Sequence, residues 1–276
     1  MPHGQQVGPQ PLAGIQNIIA IGSGKGGVGK TTIAVNLAVA LANMGHRTGL
    51  LDADVYGPNV PLMMGAVGTP RVVDENRIVP LENFGVRVLS VGLLNPGDKP
   101  LVWRGPMLHS IIKQFLQQVE WGELDWLIVD LPPGTGDVAI SLIQTVPVTG
   151  AVVVSTPSDV SLQDARKAIE MFRQVKVDVV GIVENMSHFV CPNCKHEIDI
   201  FSMGGVERTA RQFNVPYLGY IALDPEVRRG GDTGRPVALA GESADNAKQF
   251  YDFARRVVAT VEQQRAQTLE PVIRIQ

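Results

Sequence analysis

The residues best able to do chemistry fall into four groups: GKGGVGKTT at Gly24–Thr32, the aspartates Asp52 and Asp54, the aspartate Asp130, and the only two cysteines, Cys191 and Cys194. The first group satisfies G-x-x-x-x-G-K-[ST] with Gly24, Gly29, Lys30 and Thr31. A loop of the composition Gly24, Lys25, Gly26, Gly27, Val28, Gly29, set between a strand and a helix, gathers backbone N–H groups into one concavity. The positive end of the helix dipole adds to it, and the concavity holds a polyphosphate with few side-chain cations. Lys30 can reach the β- and γ-phosphates, the Thr31 hydroxyl can ligate Mg²⁺, and Thr32 closes the segment. The glycines are required because a Cβ would block close approach or forbid the backbone angles.

The aspartates complete such a site. Asp52 and Asp54 flank Ala53 in LLDADVYGPNVP, so in an extended segment both carboxylates point the same way. One could serve the Mg²⁺ shell while the other orients an attacking water; the alternative is a pair of turn-forming residues. Asp130 ends the apolar run Trp126–Val129 and precedes LPPGTGD, which places a carboxylate at the metal's outer shell. The proline- and glycine-rich stretch after it suits a loop that senses the γ-phosphate, and Asp137 could cap the helix that follows. Asn185, after Val179–Val183, offers an amide donor and acceptor to a base edge, or serves as a turn residue.

Cys191 and Cys194 form C-x-x-C, which reads as a redox dithiol, half a zinc site or half an iron–sulfur site. The redox reading lacks its helix context. Zinc or a cubane cluster wants four ligands, and one chain offers two thiolates. His188 and His196 could complete a Cys₂His₂ zinc site, whereas a two-fold dimer would bring four thiolates together. Met186, Met203 and Phe189 are expected to be apolar packing.

The elements that must position these groups alternate along the chain. Short β-branched runs at Ile18–Gly22, Thr48–Leu51, Val86–Ser90, Trp126–Val129, Ala151–Val154 and Val179–Val183 read as buried parallel strands. Helices are expected over Thr31–Asn43, Met107–Gln118, Ser161–Gln174, Gly204–Phe213 and Ser243–Arg265. That order predicts an α/β fold, a doubly wound, mostly parallel sheet with its ligands at the strand C-termini. One ATPase domain is expected over residues 15–267, with a cysteine loop near 186–203, a flexible leader at 1–14 and a tail at 268–276.

Composition limits the remaining classes. With 276 residues and 45% hydrophobic content the chain can bury a large core. With a net charge of −3, nothing argues for a nucleic-acid surface, and no nucleic-acid partner is expected. No apolar run is long enough to span a membrane, and MPHGQQVGPQPLAG is no signal peptide. Two cysteines so close together make no disulfide framework, so a cytoplasmic location is expected.

GKGGVGKTT, with Lys25 after its first glycine, resembles the deviant Walker A motif of the MinD, ParA, nitrogenase-iron-protein and Mrp class of ATPases. Together with LLDADVYGPNVP, DLPPGTGD, ENMSHFVCPNC and LDPEVRRGGDTGRP, in that order from about Ile15 to Phe250, it resembles the Mrp/ApbC-type iron–sulfur cluster carriers. The resemblance implies a homodimer that closes on ATP, with Lys25 reaching the partner's nucleotide. It also implies that Asp54 positions water, that Asp52, Asp130 and Thr31 serve Mg²⁺, that Asn185 contacts adenine, and that ALDPEVRRGGDTGRP forms a loop covering the base. Cys191 and Cys194 of two chains would bridge a [4Fe-4S] cluster for delivery to apo iron–sulfur proteins.

Two positions depart from the family pattern: Ala222 replaces the first proline of I-P-L-D-P, and Lys195 follows CPNC where glycine is usual. The four-cysteine extension of eukaryotic cytosolic members and the small leading domain of many bacterial ones are also not found in the sequence. Two other readings stay open: a MinD/ParA-like positioning switch without a cluster, and the same ATPase with a structural zinc.

Overall fold

A computed structural model describes residues 12–55, 57–73, 77–94, 116–136, 140, 147–191, 193–194 and 196–269. The first strand, β1 (Ile15–Ser23), leads through the glycine loop into α1 (Lys30–Asn43) and then β2 (Thr48–Asp52). A short helix α2 (Val60–Met63) and the small strands β3 (Arg71–Val73), β4 (Arg77–Val79) and β5 (Leu81–Asn83) precede β6 (Val86–Ser90) and α3 (Val91–Leu94). Next come β7 (Leu124–Asp130), β8 (Gly150–Ser155), α4 (Asp159–Gln174) and β9 (Val179–Val190). The chain closes with β10 (Glu197–Ile198), α5 (Gly205–Phe213), β11 (Tyr217–Leu223), α6 (Pro225–Asp232) and α7 (Asp245–Leu269).

The parallel strands run in the order β11-β9-β8-β1-β7-β2-β6, with β5 antiparallel beside β6 and β10 antiparallel on the tip of β9. From β1 the chain winds out to β2 and β6, returns to β7 beside β1, and then winds the other way. This is a doubly wound sheet whose switch point lies at β1, where ligands of open α/β sheets bind. Alternate residues of each strand face opposite layers. Ile18 and Ala20 pack with α4 and α5 residues such as Phe172 and Val206, whereas Ile19 and Ile21 pack with Leu37, Phe250 and Val257 of α1 and α7. Burial on both faces is why these strands read as continuous apolar runs.

Three expectations change. The apolar run predicts that β9 ends at Val183, but the strand continues to Val190, because β11 keeps pairing with it as far as Phe189 and overrides the polar composition of ENMSH. LDPEVRRGGD is helical rather than a loop: Asp224 accepts a 2.8 Å hydrogen bond from Glu226 N–H, and Pro225 stands at the first helical position, where its missing N–H costs nothing. β11 itself has no counterpart among the predicted strands, since YLGYIAL carries glycine and no clean alternation. The helix expected over Met107–Gln118 lies outside the described residues except for 116–118, and Asp137 lies outside them too.

Candidate nucleotide and thiolate site

The glycine loop leaves β1 at its C-terminal end. Gly27 and Gly29 take left-handed angles (φ 80° and 82°), which L side chains rarely adopt. The other glycines differ in what holds them. A Cβ on Gly24 would lie 2.1 Å from the Asp164 backbone of α4, and one on Gly29 would lie 2.1 Å from Asn185 Nδ2. Gly26 has room for a side chain: its nearest neighbour would be Pro133, at 3.9 Å. Gly29 precedes α1 without any side-chain cap, so the first amides of that helix turn toward the loop's concavity. The loop, with Lys25, Val28, Thr31 and Thr32, lines a cavity of about 390 Å³.

Asp130 holds the floor of this cavity. Lys30 Nζ donates to its Oδ1 at 2.6 Å, and the Thr31 hydroxyl donates to its Oδ2 at 2.7 Å. Asp54 lines the cavity as well, with Oδ2 4.0 Å from Lys30 Nζ. The register of three strands produces this cluster: Asp130 is opposite Ile21 on β1 and Asp52 on β2. Burial pushes the Asp130 carboxyl up from the ordinary range, against the pull of Lys30 and Thr31.

Asp52 closes β2 and is held by donors from three parts of the chain. Its Oδ1 accepts from the Asp54 N–H at 3.0 Å, and its Oδ2 accepts from the Ser90 hydroxyl at 2.9 Å and the Val60 N–H at 3.3 Å. It is fully buried and braces the loop that carries Asp54. Burial and the charge of Asp130 push its carboxyl up to about 8, against the Asp54 amide and the Ser90 hydroxyl.

Asn185 is buried and donates from Nδ2 to the Val28 carbonyl at 2.8 Å, bracing the glycine loop from β9. The cavity's far wall is formed by Val227, Arg228 and Asp232 of α6, within the segment that the resemblance reads as covering the base, and by Asn59, Leu62 and Met63 at α2. Sequence reasoning missed the α2 side, whose lining residues carry no charge of their own.

Cys191 stands half-buried just beyond β9 and Cys194 is exposed; neither is in a disulfide. The Cys191 N–H donates to the His196 carbonyl at 3.0 Å, which closes the β9–β10 hairpin. His188 is buried, with Nδ1 2.8 Å from the Ser187 hydroxyl oxygen and its ring edge-on to Tyr220. Among the described residues no three His, Cys, Asp or Glu side chains converge as a metal-binding group, so one chain does not assemble the Cys₂His₂ set. Met203, expected to be apolar packing, is 48% exposed, and Ile198, Ile200 and Phe201 are exposed too, so the stretch that follows the cysteines presents apolar surface. No described helix is long and apolar enough to cross a membrane.

Known proteins match both halves of this arrangement. Residues 14–258 match the family described as ParA: NUBPL iron-transfer P-loop NTPase. The chain is 49% identical over 253 residues to the iron-sulfur cluster carrier protein of Aquifex aeolicus, covering 91% of this chain and 70% of that one. It is 47% identical over 251 residues to the iron-sulfur cluster transfer protein NUBPL of Mus musculus, covering 90% and 79%. Among solved structures, the nucleotide-binding protein of Archaeoglobus fulgidus in complex with ADP superposes with a TM-score of 0.72 at 38% identity, over 81% of this chain and 88% of that one. This chain belongs to the ParA/NUBPL family of iron-transfer P-loop NTPases.

Proposed function

We propose that this protein is a homodimeric, Mg²⁺-dependent ATPase that binds a [4Fe-4S] cluster as cargo between Cys191 and Cys194 of two chains and delivers it to apo iron–sulfur proteins. One observation carries the reading. Two accessible thiols, too few to enclose a cluster, sit on a hairpin rooted in the same strand that braces the phosphate loop. Pairing two such hairpins across a two-fold axis supplies four thiolates. The names of the relatives in mouse and Aquifex support the cargo.

On the nucleotide side, the loop amides and Lys30 bind phosphates, for which Lys30 exchanges Asp130 for a phosphate oxygen. Thr31 Oγ1 and the Asp130 carboxylate, 2.7 Å apart, with Asp54 beside them, form the oxygen-rich donor set that suits Mg²⁺. The ion would neutralise charge on the phosphates. Asp54 orients the attacking water, and Asp52 holds Asp54's loop in place. Lys25 lines the cavity and, by the family resemblance, reaches the nucleotide of the partner subunit.

The test is a metal count after anaerobic reconstitution, comparing the parent with Cys191→Ser. About two iron and two sulfide per chain, lost in the variant, is the expected result for one cluster shared by two chains. Zinc at about half an atom per chain without iron would leave a structural site and remove the carrier role.

A further inference from the structure

Two consecutive residues of β9 grip opposite sides of the sheet. Asn185 donates to the Val28 carbonyl of the phosphate loop at 2.8 Å, on the α1 side. Glu184 faces the other layer, as strand alternation requires. Its Oε1 accepts from the Gly204 N–H at 3.3 Å and its Oε2 from the Val206 N–H at 3.1 Å. Gly204 and Val206 are where the chain re-enters the fold after the cysteine hairpin, at the start of α5. That start is itself seated tightly: a Cβ on Gly205 would lie 2.9 Å from the Pro157 carbonyl. Glu184 is fully buried and forms no ion pair shorter than 4 Å among the described residues, so backbone amides are its main compensation.

Directly after this pair the strand is irregular. Met186 takes a left-handed backbone (φ 55°), and the pairing with β11 shifts between Asn185 and Phe189. Bulges of this kind re-aim a strand next to functional sites. The hairpin bearing Cys191 and Cys194 therefore departs from an irregular joint whose outgoing root is held by Asn185 and whose returning root is held by Glu184.

We infer that Glu184 is a positioning residue for the thiolates: with Asn185 it forms a two-sided bracket through which occupancy of the phosphate loop sets the placement of the cysteine hairpin. Movement of the loop pulls on Asn185, tilts this part of β9, and changes the angle between the hairpin's two roots only if the returning root is fastened to the same strand. Glu184 is that fastening. The inference rests on the reading of Cys191 and Cys194 as the cargo site, yet it is testable without any cargo.

The chain has only two cysteines, so the labelling rate of the apo-protein by a thiol reagent reports the hairpin alone. In the parent, saturating Mg-ADP or a non-hydrolysable ATP analogue is expected to change that rate by roughly fivefold or more. In Glu184→Gln the response should largely vanish while nucleotide Kd stays within about twofold, since the hydrogen bonds of Glu184 among the described residues go to Gly204 and Val206 and not to the loop. Nucleotide-driven dimerisation alone would survive the substitution, so a variant that keeps the full response overturns the inference. So does a parent whose labelling ignores nucleotide, or a variant that loses nucleotide binding as well. Melting curves establish that the variant is folded, and Glu184→Asp, which keeps the charge but shortens the reach, carries the same test if Glu184→Gln is not. Iron and sulfide counts on the reconstituted parent report separately on the carrier reading.

Discussion

Asp52 and Asp130 stand in register on the adjacent parallel strands β2 and β7, and their carboxyls serve different parts of the site. Asp130 takes the Lys30 ammonium and the Thr31 hydroxyl on the cavity side, whereas Asp52 takes amides and a hydroxyl behind it. Two fully buried acids this close cannot both carry charge without help, and Lys30 is the only cation that pairs directly with either among the described residues.

Lys30→Ala should therefore do two kinds of damage. It removes the phosphate contact proposed for Lys30, and it leaves Asp130 buried without its cation, a loss of about 3 kcal/mol or more. The double variant Lys30→Met/Asp130→Asn removes both charges and should recover most of the stability without recovering nucleotide binding. Urea unfolding and titration with a fluorescent nucleotide separate the two effects. Equal destabilisation of the single and double variants would show that the pair is not coupled.

The pH dependence of stability follows from Asp52. Its folded-state carboxyl is raised to about 8 from 3.8, so between those values the native state holds a proton that the unfolded chain has released. Unfolding then releases protons, and this group's contribution falls as pH rises from about 4 toward 8, by at most about 1.4 kcal/mol per pH unit. Above the folded value the loss is complete and the slope ends. Asp52→Asn should flatten the curve and be most stabilising relative to the parent near the alkaline end of that window. Denaturant unfolding from pH 5.5 to 8.5 checks this; parallel curves for the two proteins would rule out Asp52 as the source.

Much of this site is legible in the sequence because its parts are local. A glycine loop followed by Lys30 and Thr31, and an aspartate closing an apolar strand, need only strand ends and helix starts to reach their places. The fate of Asp52 is not legible. Its partners Val60 and Ser90 come from α2 and from the end of β6, and only the sheet order brings them to it. β9 reads too short for a related reason: its polar half, Glu184–His188, is covered by β11, a strand that carries no alternation of its own. The helical form of α6 is hidden because a helix of RRGGD composition has little intrinsic propensity and depends on the Asp224 cap and Pro225 to start.

The loop glycines predict a graded series. Gly24→Ala forces a Cβ into the α4 backbone at Asp164, which cannot turn aside as a side chain would, so the variant should fail to fold or lose several kcal/mol, on the order of an overpacked core site. Gly27→Ala meets nothing within 4 Å and suffers only the left-handed angle, about 1 kcal/mol. Thermal melts of the two variants side by side measure the difference. A Gly27 variant as unstable as the Gly24 one would mean that backbone angle, rather than helix contact, governs the loop.

Two roles proposed for Asn185, bracing the phosphate loop and meeting the adenine edge, predict different losses. In this geometry its Nδ2 is committed to the Val28 carbonyl, so its substitution acts first on the shape of the phosphate loop. Asn185→Ala should then weaken ATP, ITP and inorganic tripolyphosphate by similar factors, roughly tenfold for one buried hydrogen bond. Competition binding against a fluorescent nucleotide measures all three on one preparation. A loss confined to ATP, with ITP and tripolyphosphate unchanged, would instead assign the amide to the adenine edge, since inosine differs there by its exchanged donor and tripolyphosphate has no base. In that case the loop must hold its shape without Asn185. The close approach of Gly29 to the same amide, where an added Cβ would come within 2.1 Å of Nδ2, argues for the first outcome: the glycine leaves room for the amide whether or not a base is present.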